Sequence, residues 1–196
     1  MKKIQLDSKD WFALLFIFGT AVWRVMMSYE ATRIPEFSNF TPVGAMALFG
    51  GAYFSKWKSF AFPVLTLWLS DVVLNRIMFY GEWVLFYDGA FWTYGAFALM
   101  ALVGRFVMKE KNAQTFISSS LAIVLIHWII TDIGVWLYSG TYPQTLAGFW
   151  ACLVAAIPFE INFLLGTLFY GTVLFSVFEY MKAKVPALQP IKVNID

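Results

Sequence analysis

Six apolar runs, most of them close to 20 residues long, divide this chain, and charge is almost confined to the segments between them. A hydrocarbon core of ~30 Å is crossed by about 20 helical residues. Inside it every backbone N–H and C=O must be satisfied within the protein, which leaves helices or closed barrels. The runs at 11–28, 40–54, 60–79, 91–108, 117–138 and 163–181 therefore read as membrane-spanning helices. Composition agrees, with 60% hydrophobic and 13% charged residues, where soluble domains carry about 25% charged residues. The expectation is a single all-α integral membrane domain over residues 1–196, a polytopic bundle of six transmembrane helices.

Two stretches need separate treatment. The second run is short and rich in small residues, so it either begins earlier than Phe40 or packs inside the bundle without a full crossing. A seventh run, 146–157, is uncharged but only twelve residues long. It reads as a short re-entrant or interfacial helix between Pro143 and Pro158. Lys2 and Lys3 precede the first run as in a secretory signal. The run outlasts a usual signal core, however, and no small-x-small site follows, so it reads as a retained span.

Basic residues set the expected orientation. With the N-terminus inside and six crossings, Lys2, Lys3, Lys9, Lys56, Lys58, Arg105, Lys109, Lys111, Lys182, Lys184 and Lys192 all fall on the inner side, eleven of the 14 Lys and Arg. Arg24, Arg33 and Arg76 fall outside or in an outer half-span. A seventh crossing would put the last three lysines outside. The chain is thus expected in a bacterial cytoplasmic membrane with both termini inside and its longer connections outside. Long connections on one face commonly carry function, so a ligand site is expected there. The tail after Lys184, with Pro186 and Pro190, reads as a loose inner end.

Motifs exclude more than they assign. No Gly-rich phosphate loop, His-Glu-x-x-His, Cys-x-x-Cys or Gly-x-Ser-x-Gly occurs, so nothing spells an ATPase, a metalloenzyme or a serine hydrolase. One cysteine, Cys152, allows no internal disulfide, and one histidine, His127, allows no multi-ligand Cys/His metal site. No catalytic role, metal, cofactor or nucleic-acid partner is expected.

The informative residues are polar groups within apolar runs, which are costly in a membrane and mark candidate sites. Asp71 lies well inside the third span, with Asn75 four residues on along the same face; it either contacts a ligand or pairs with Arg24 or Arg76. Asp132 lies near the outer end of the fifth span, beside Thr131 and ahead of Trp136. His127 sits deeper, as a neutral ring bonded to a neighbouring helix, on the face of Thr131 and away from Asp132. Glu160 follows Pro158 and reads as a carboxylate favoured by the start of the sixth helix. Asn162, Gly166 and Tyr170 share one face there. Around Pro42, Asn39 and Thr41 are candidate caps or ligand contacts, and Gly44, Ala47 and Gly51 form a small-residue ridge for close packing. The expected solute contacts are Asn39, Asp71, Asn75, Asp132, Trp136 and Asn162, with the rings of Trp92 and Tyr142 to stack on a flat group.

The runs Asn39-Phe40-Thr41-Pro42-Val43-Gly44-Ala45, Ala47-Leu48-Phe49-Gly50-Gly51-Ala52-Tyr53-Phe54 and Leu69-Ser70-Asp71 resemble an uncharacterised bacterial family of transport-type membrane proteins, the DUF6580 type. So do Gly134-Val135-Trp136, Tyr142-Pro143 with Thr145, Ala147-Gly148, and Ala155-Ala156-Ile157-Pro158-Phe159 with Asn162 and Gly166. That family is distantly similar to the S components of energy-coupling-factor vitamin transporters, six-helix proteins that bind a micronutrient from outside. The resemblance implies a substrate-binding subunit for uptake of a small solute such as a vitamin, energised by a separate ATPase module. One S-component subgroup contacts cobalamin through a cysteine; Cys152 is instead expected to be a small apolar residue of its helix. Two other classes stay open: a structural or assembly subunit of a larger membrane complex, and a membrane-embedded enzyme acting on a lipid-like substrate.

Overall fold

The computed structural model describes residues 8–31, 34, 38–54 and 56–185. Lys2, Lys3, Arg33, Lys192, Pro186 and Pro190 lie outside the described residues. Six helices follow one another: α1 (Ser8–Ala31), α2 (Val43–Tyr53), α3 (Lys58–Leu74), α4 (Ala90–Val107), α5 (Ala113–Tyr138) and α6 (Leu146–Lys184). A π-helical turn, Asn75–Phe79, extends α3, and no strand occurs among the described residues. Among the described residues, four helical segments are long and apolar enough to cross a membrane: Lys58–Phe79, Ala90–Val107, Ala113–Tyr138 and Leu146–Lys184. This is a multi-pass helical membrane protein.

At eleven residues, α2 covers only about 16 Å, and nine of its residues are buried. It forms the axis of the bundle, touching α1, α3, α4, α5 and α6. Lipid is as apolar as leucine, so helices associate here by close packing rather than by escape from water. Small residues make the closest approach. A methyl group added at Gly51 would stand 2.0 Å from the Ala101 carbonyl oxygen, and one at Gly104 would stand 2.5 Å from the Leu48 carbonyl oxygen. The backbones of α2 and α4 thus touch at two successive levels. Around this contact pack Met46, Leu48, Phe49, Phe97, Met100, Phe163 and Phe178, all fully or almost fully buried. No side chain caps α2; its N-cap position is Pro42 itself, whose carbonyl accepts from Met46 N–H at 2.8 Å. The expected Asn39 or Thr41 cap is therefore absent.

The largest departure from expectation is α6. The 146–157 run is not a separate helix: it continues through Pro158 into one 39-residue helix. A proline removes one helical hydrogen bond and normally breaks a soluble helix, but neighbouring helices in a membrane bundle re-satisfy the freed turn. Here Trp128 of α5 donates Nε1–H to the Leu153 carbonyl at 2.9 Å, one residue before the carbonyl that Pro158 leaves without its helical donor. Glu160 accordingly lies well inside α6 and does not cap its start. Thr145 does, accepting from Gly148 N–H at 3.1 Å.

The basic end of the bundle is closed by polar contacts. Arg105 donates to the Lys56 carbonyl and to Ser59 Oγ. The Tyr53 hydroxyl donates to Glu179 at 2.5 Å, and Lys182 pairs with the same carboxylate at 2.9 Å. Asn112 and Thr115 form a capping box at the start of α5.

Candidate functional site

The opposite end of the bundle is hollow. Two adjoining cavities of about 400 and 350 Å³ lie among α1, α3, α4, α5, α6 and the segment leading into α2. Asn39, Thr93 and His127 wall both of them. Asn39 holds a left-handed backbone, φ 65°, a conformation asparagine tolerates better than most residues. From this turn the chain enters α2 two residues after Thr41.

The first lobe is apolar with a cationic edge. Leu67, Leu74, Phe97 and Met100 line it, and Arg24 faces it from α1. Arg24 is fixed from α3: its guanidinium pairs with Asp71 Oδ1 at 2.7 Å and donates to Ser70 Oγ at 2.7 Å. Asp71 thus takes the partner in α1, and Arg76 donates to the Gly81 carbonyl instead. Asp71 is buried and orients the arginine rather than forming a wall itself. Asn75, at the π turn, donates to the Val84 carbonyl at 2.8 Å, and Trp68 donates to the Leu85 carbonyl at 2.9 Å. Both fold the 80–89 connection over the end of α3. Tyr87 of that connection lies close to Thr93. Burial first, and then the Asp71 carboxylate, push its hydroxyl up to about 12, which keeps it a neutral donor at physiological pH.

The second lobe is acidic. His127, Thr131 and Asp132 of α5 face Cys152, Ala155, Ala156, Phe159 and Glu160 of α6, with Tyr142 at the rim. His127 Nδ1 lies 2.8 Å from Glu160 Oε1, and its ring stacks on Phe163 at 4.2 Å between centroids. Asp132 is buried to 7% exposure and Glu160 to 6%. Asp132 shares the lobe with His127, although their spacing along α5 separates them by more than a third of a turn. The lobe spans that arc along the α5–α6 contact, where Cys152 Sγ approaches the Asp132 carbonyl at 3.8 Å. Tyr142 is held in place by its neighbours: Trp136 donates to the Pro143 carbonyl at 2.8 Å, and Gln144 donates to the Trp136 carbonyl at 2.5 Å.

Of the residues expected to meet a solute, the structure brings Asn39, Asp132 and Tyr142 to the cavity walls. Asp71 stands behind Arg24. Asn75, Trp136 and Asn162 spend donors on backbone carbonyls; Asn162 donates to that of Ser38 at 3.0 Å. Trp92 packs against Gly134, where an added methyl would meet its ring at 3.2 Å. Wall residues not expected as contacts include Arg24, Thr93, His127 and Glu160. His127 and Glu160 are 33 residues apart on different helices, and no local pattern encodes their meeting. Being ionisable within apolar runs was the one available signal. No group of three or more His, Cys, Asp or Glu suited to a metal ion occurs among the described residues.

A family described as of unknown function, DUF6580, matches residues 5–188. The chain belongs to this family. Neither the curated proteins nor the solved structures offer a match. Membership in DUF6580 accounts for nearly the whole chain and brings no activity with it, so the functional argument rests on the cavity.

Proposed function

We propose that this DUF6580 protein is a membrane-embedded solute-binding subunit that receives a small organic molecule at the hollow end of its bundle. The observation that carries this reading is the pair of adjoining cavities with polar groups at their junction. Small-molecule sites are commonly 300–1,000 Å³, mostly apolar, with a few placed polar groups. Both lobes fall in that range, which suits a solute of vitamin size. The hollow end is the one opposite most of the basic residues, so the positive-inside rule favours an outward cavity, six spans, both termini in the cytoplasm and a location in a bacterial inner membrane. The chain carries no phosphate loop, so an S-component-like uptake cycle would draw its energy from a separate ATPase subunit.

The test is native mass spectrometry of the gently purified protein, with extraction and identification of any bound small molecule. A stoichiometric compound is expected, and its occupancy is expected to fall about tenfold in Asn39→Ala and Thr93→Val while both variants stay folded. Protein that is reproducibly empty yet bound stoichiometrically to other membrane subunits would overturn the reading in favour of an assembly role.

One observation favours a second reading. His127, Glu160 and Asp132 wall one lobe, and clustered acid–base groups of this kind are what a membrane-embedded enzyme acting on a lipid-like substrate would use for proton transfer. Conversion of the extracted compound on incubation, lost in His127→Gln, would favour the enzyme.

A further inference from the structure

The charge of the second lobe is out of balance. Asp132 and Glu160 are each more than nine-tenths buried and both wall it. Asp132 Oδ2 and Glu160 Oε2 are buried and have no hydrogen-bond partner. Asp132 also stands within electrostatic reach of Glu160 and His127. The other titratable walls are Cys152 from α6 and Tyr142 from the connection before it. His127 is thus the one wall of this lobe able to carry positive charge, and it is engaged at 2.8 Å by Glu160 Oε1. Arg24 belongs to the other lobe, where Asp71 and Ser70 hold it. With a neutral imidazole the ionised lobe carries two negative charges, and with an imidazolium one. A buried carboxylate oxygen without a partner is costly, and that cost is relieved by a proton or by a cation with donors to offer.

We propose that the lobe walled by Asp132 and Glu160 receives the cationic end of a small organic solute, a protonated amine or similar group with at least two N–H donors. Resting on the solute-binding reading above, this names the charge of the solute and the end at which it sits. The unpartnered Asp132 Oδ2 and Glu160 Oε2 accept one N–H each, as charge-assisted bonds. The rings of Tyr142 and Phe159 line the same lobe, and an aromatic face attracts a nearby cation. Val135, Ala155 and Ala156 complete an apolar wall around the cation's carbon atoms. The neutral body of the solute extends past Asn39, Thr93 and His127 into the apolar first lobe.

The experiment uses the full chain in lipid nanodiscs, stripped of bound compounds, with three probes of one shape: benzylammonium, benzyl alcohol and benzoate. Calorimetric titration is expected to rank benzylammonium about tenfold or more above benzyl alcohol, with benzoate weakest. Asp132→Asn and Glu160→Gln, close in shape to the native residues, are expected to erase that preference while binding of benzyl alcohol persists. Equal or tighter binding of benzyl alcohol or benzoate by the unaltered protein overturns the cationic assignment and leaves solute binding standing. Failure of all three probes to bind at millimolar concentration overturns both. The ranking within the unaltered protein needs no variant, so a substitution that fails to fold does not spare the proposal.

Discussion

At the scale of single residues, the polar groups of this bundle fall into two kinds. Some lock helices together and some face the cavity. The Arg24–Asp71 pair does the first directly and the second at one remove, because it ties α1 to α3 and holds the guanidinium at the wall. Removing one member of a buried pair leaves the other charge uncompensated, at about 3–5 kcal/mol. Asp71→Ala is therefore expected to lower the unfolding midpoint of the reconstituted protein strongly. Arg24→Met added to it should restore part of the loss, because no orphan charge then remains. Additive losses would mean that the two side chains act independently. The His127–Glu160 pair allows a cleaner measurement. His127→Phe keeps the ring stacked on Phe163 but strips Glu160 Oε1 of its partner, a cost of about 1–3 kcal/mol. Once Glu160→Gln is also present, the effect of His127→Phe should fall, and a double-mutant cycle measures the coupling.

At the scale of elements, the close approach between α2 and α4 is the tightest packing around the central helix. A methyl at Gly51 would meet a backbone carbonyl that cannot rotate away, so Gly51→Ala must push the helices apart. Overpacking of this kind costs about 1–3 kcal/mol, which outweighs the gain of about 1 kcal/mol in helix propensity on replacing glycine by alanine. Gly19→Ala on α1, with nothing within 4 Å of the added methyl, is the control and is expected to hold or raise the midpoint. The small-residue ridge, the apolar runs and the polar anomalies Asp71 and Asp132 were legible in the sequence because each is a local pattern. Helix α6 was not. Pro158 reads as a boundary by local rules, whereas the helix runs on through it beside α5, whose Trp128 donates to the Leu153 carbonyl from 25 residues away. The same limit hid the site. Asn75, Trp136 and Asn162 look like free donors in a sequence, and only the fold supplies the backbone carbonyls that occupy them.

At the scale of the whole molecule, the length of α6 ties topology to function. Its 39 residues extend about 58 Å, more than a membrane of ~40–45 Å with its headgroups. Lys182 and Lys184 in its last turn hold one end at the basic face. Trp150 near its start is exposed at 65%, and Cys152, Ala155, Ala156, Phe159 and Glu160 of its first half form one wall of the acidic lobe. Residues 146–184 are a single helix, so in the proposed six-span arrangement they count as one crossing and the C-terminus returns to the side of the N-terminus. In a Cys152→Ala background, Thr141→Cys in the connection before α6 is expected to react with a membrane-impermeant maleimide added to intact cells. Glu110→Cys, between α4 and α5, is expected to react only after the membrane is opened. Cysteine 152 itself is buried, so its removal should change neither result. The opposite labelling pattern would invert the bundle and turn the cavity toward the cytoplasm. A cation held by Asp132 and Glu160 would then be received from inside the cell, and the protein would be a candidate for export or for cytoplasmic sensing rather than for uptake.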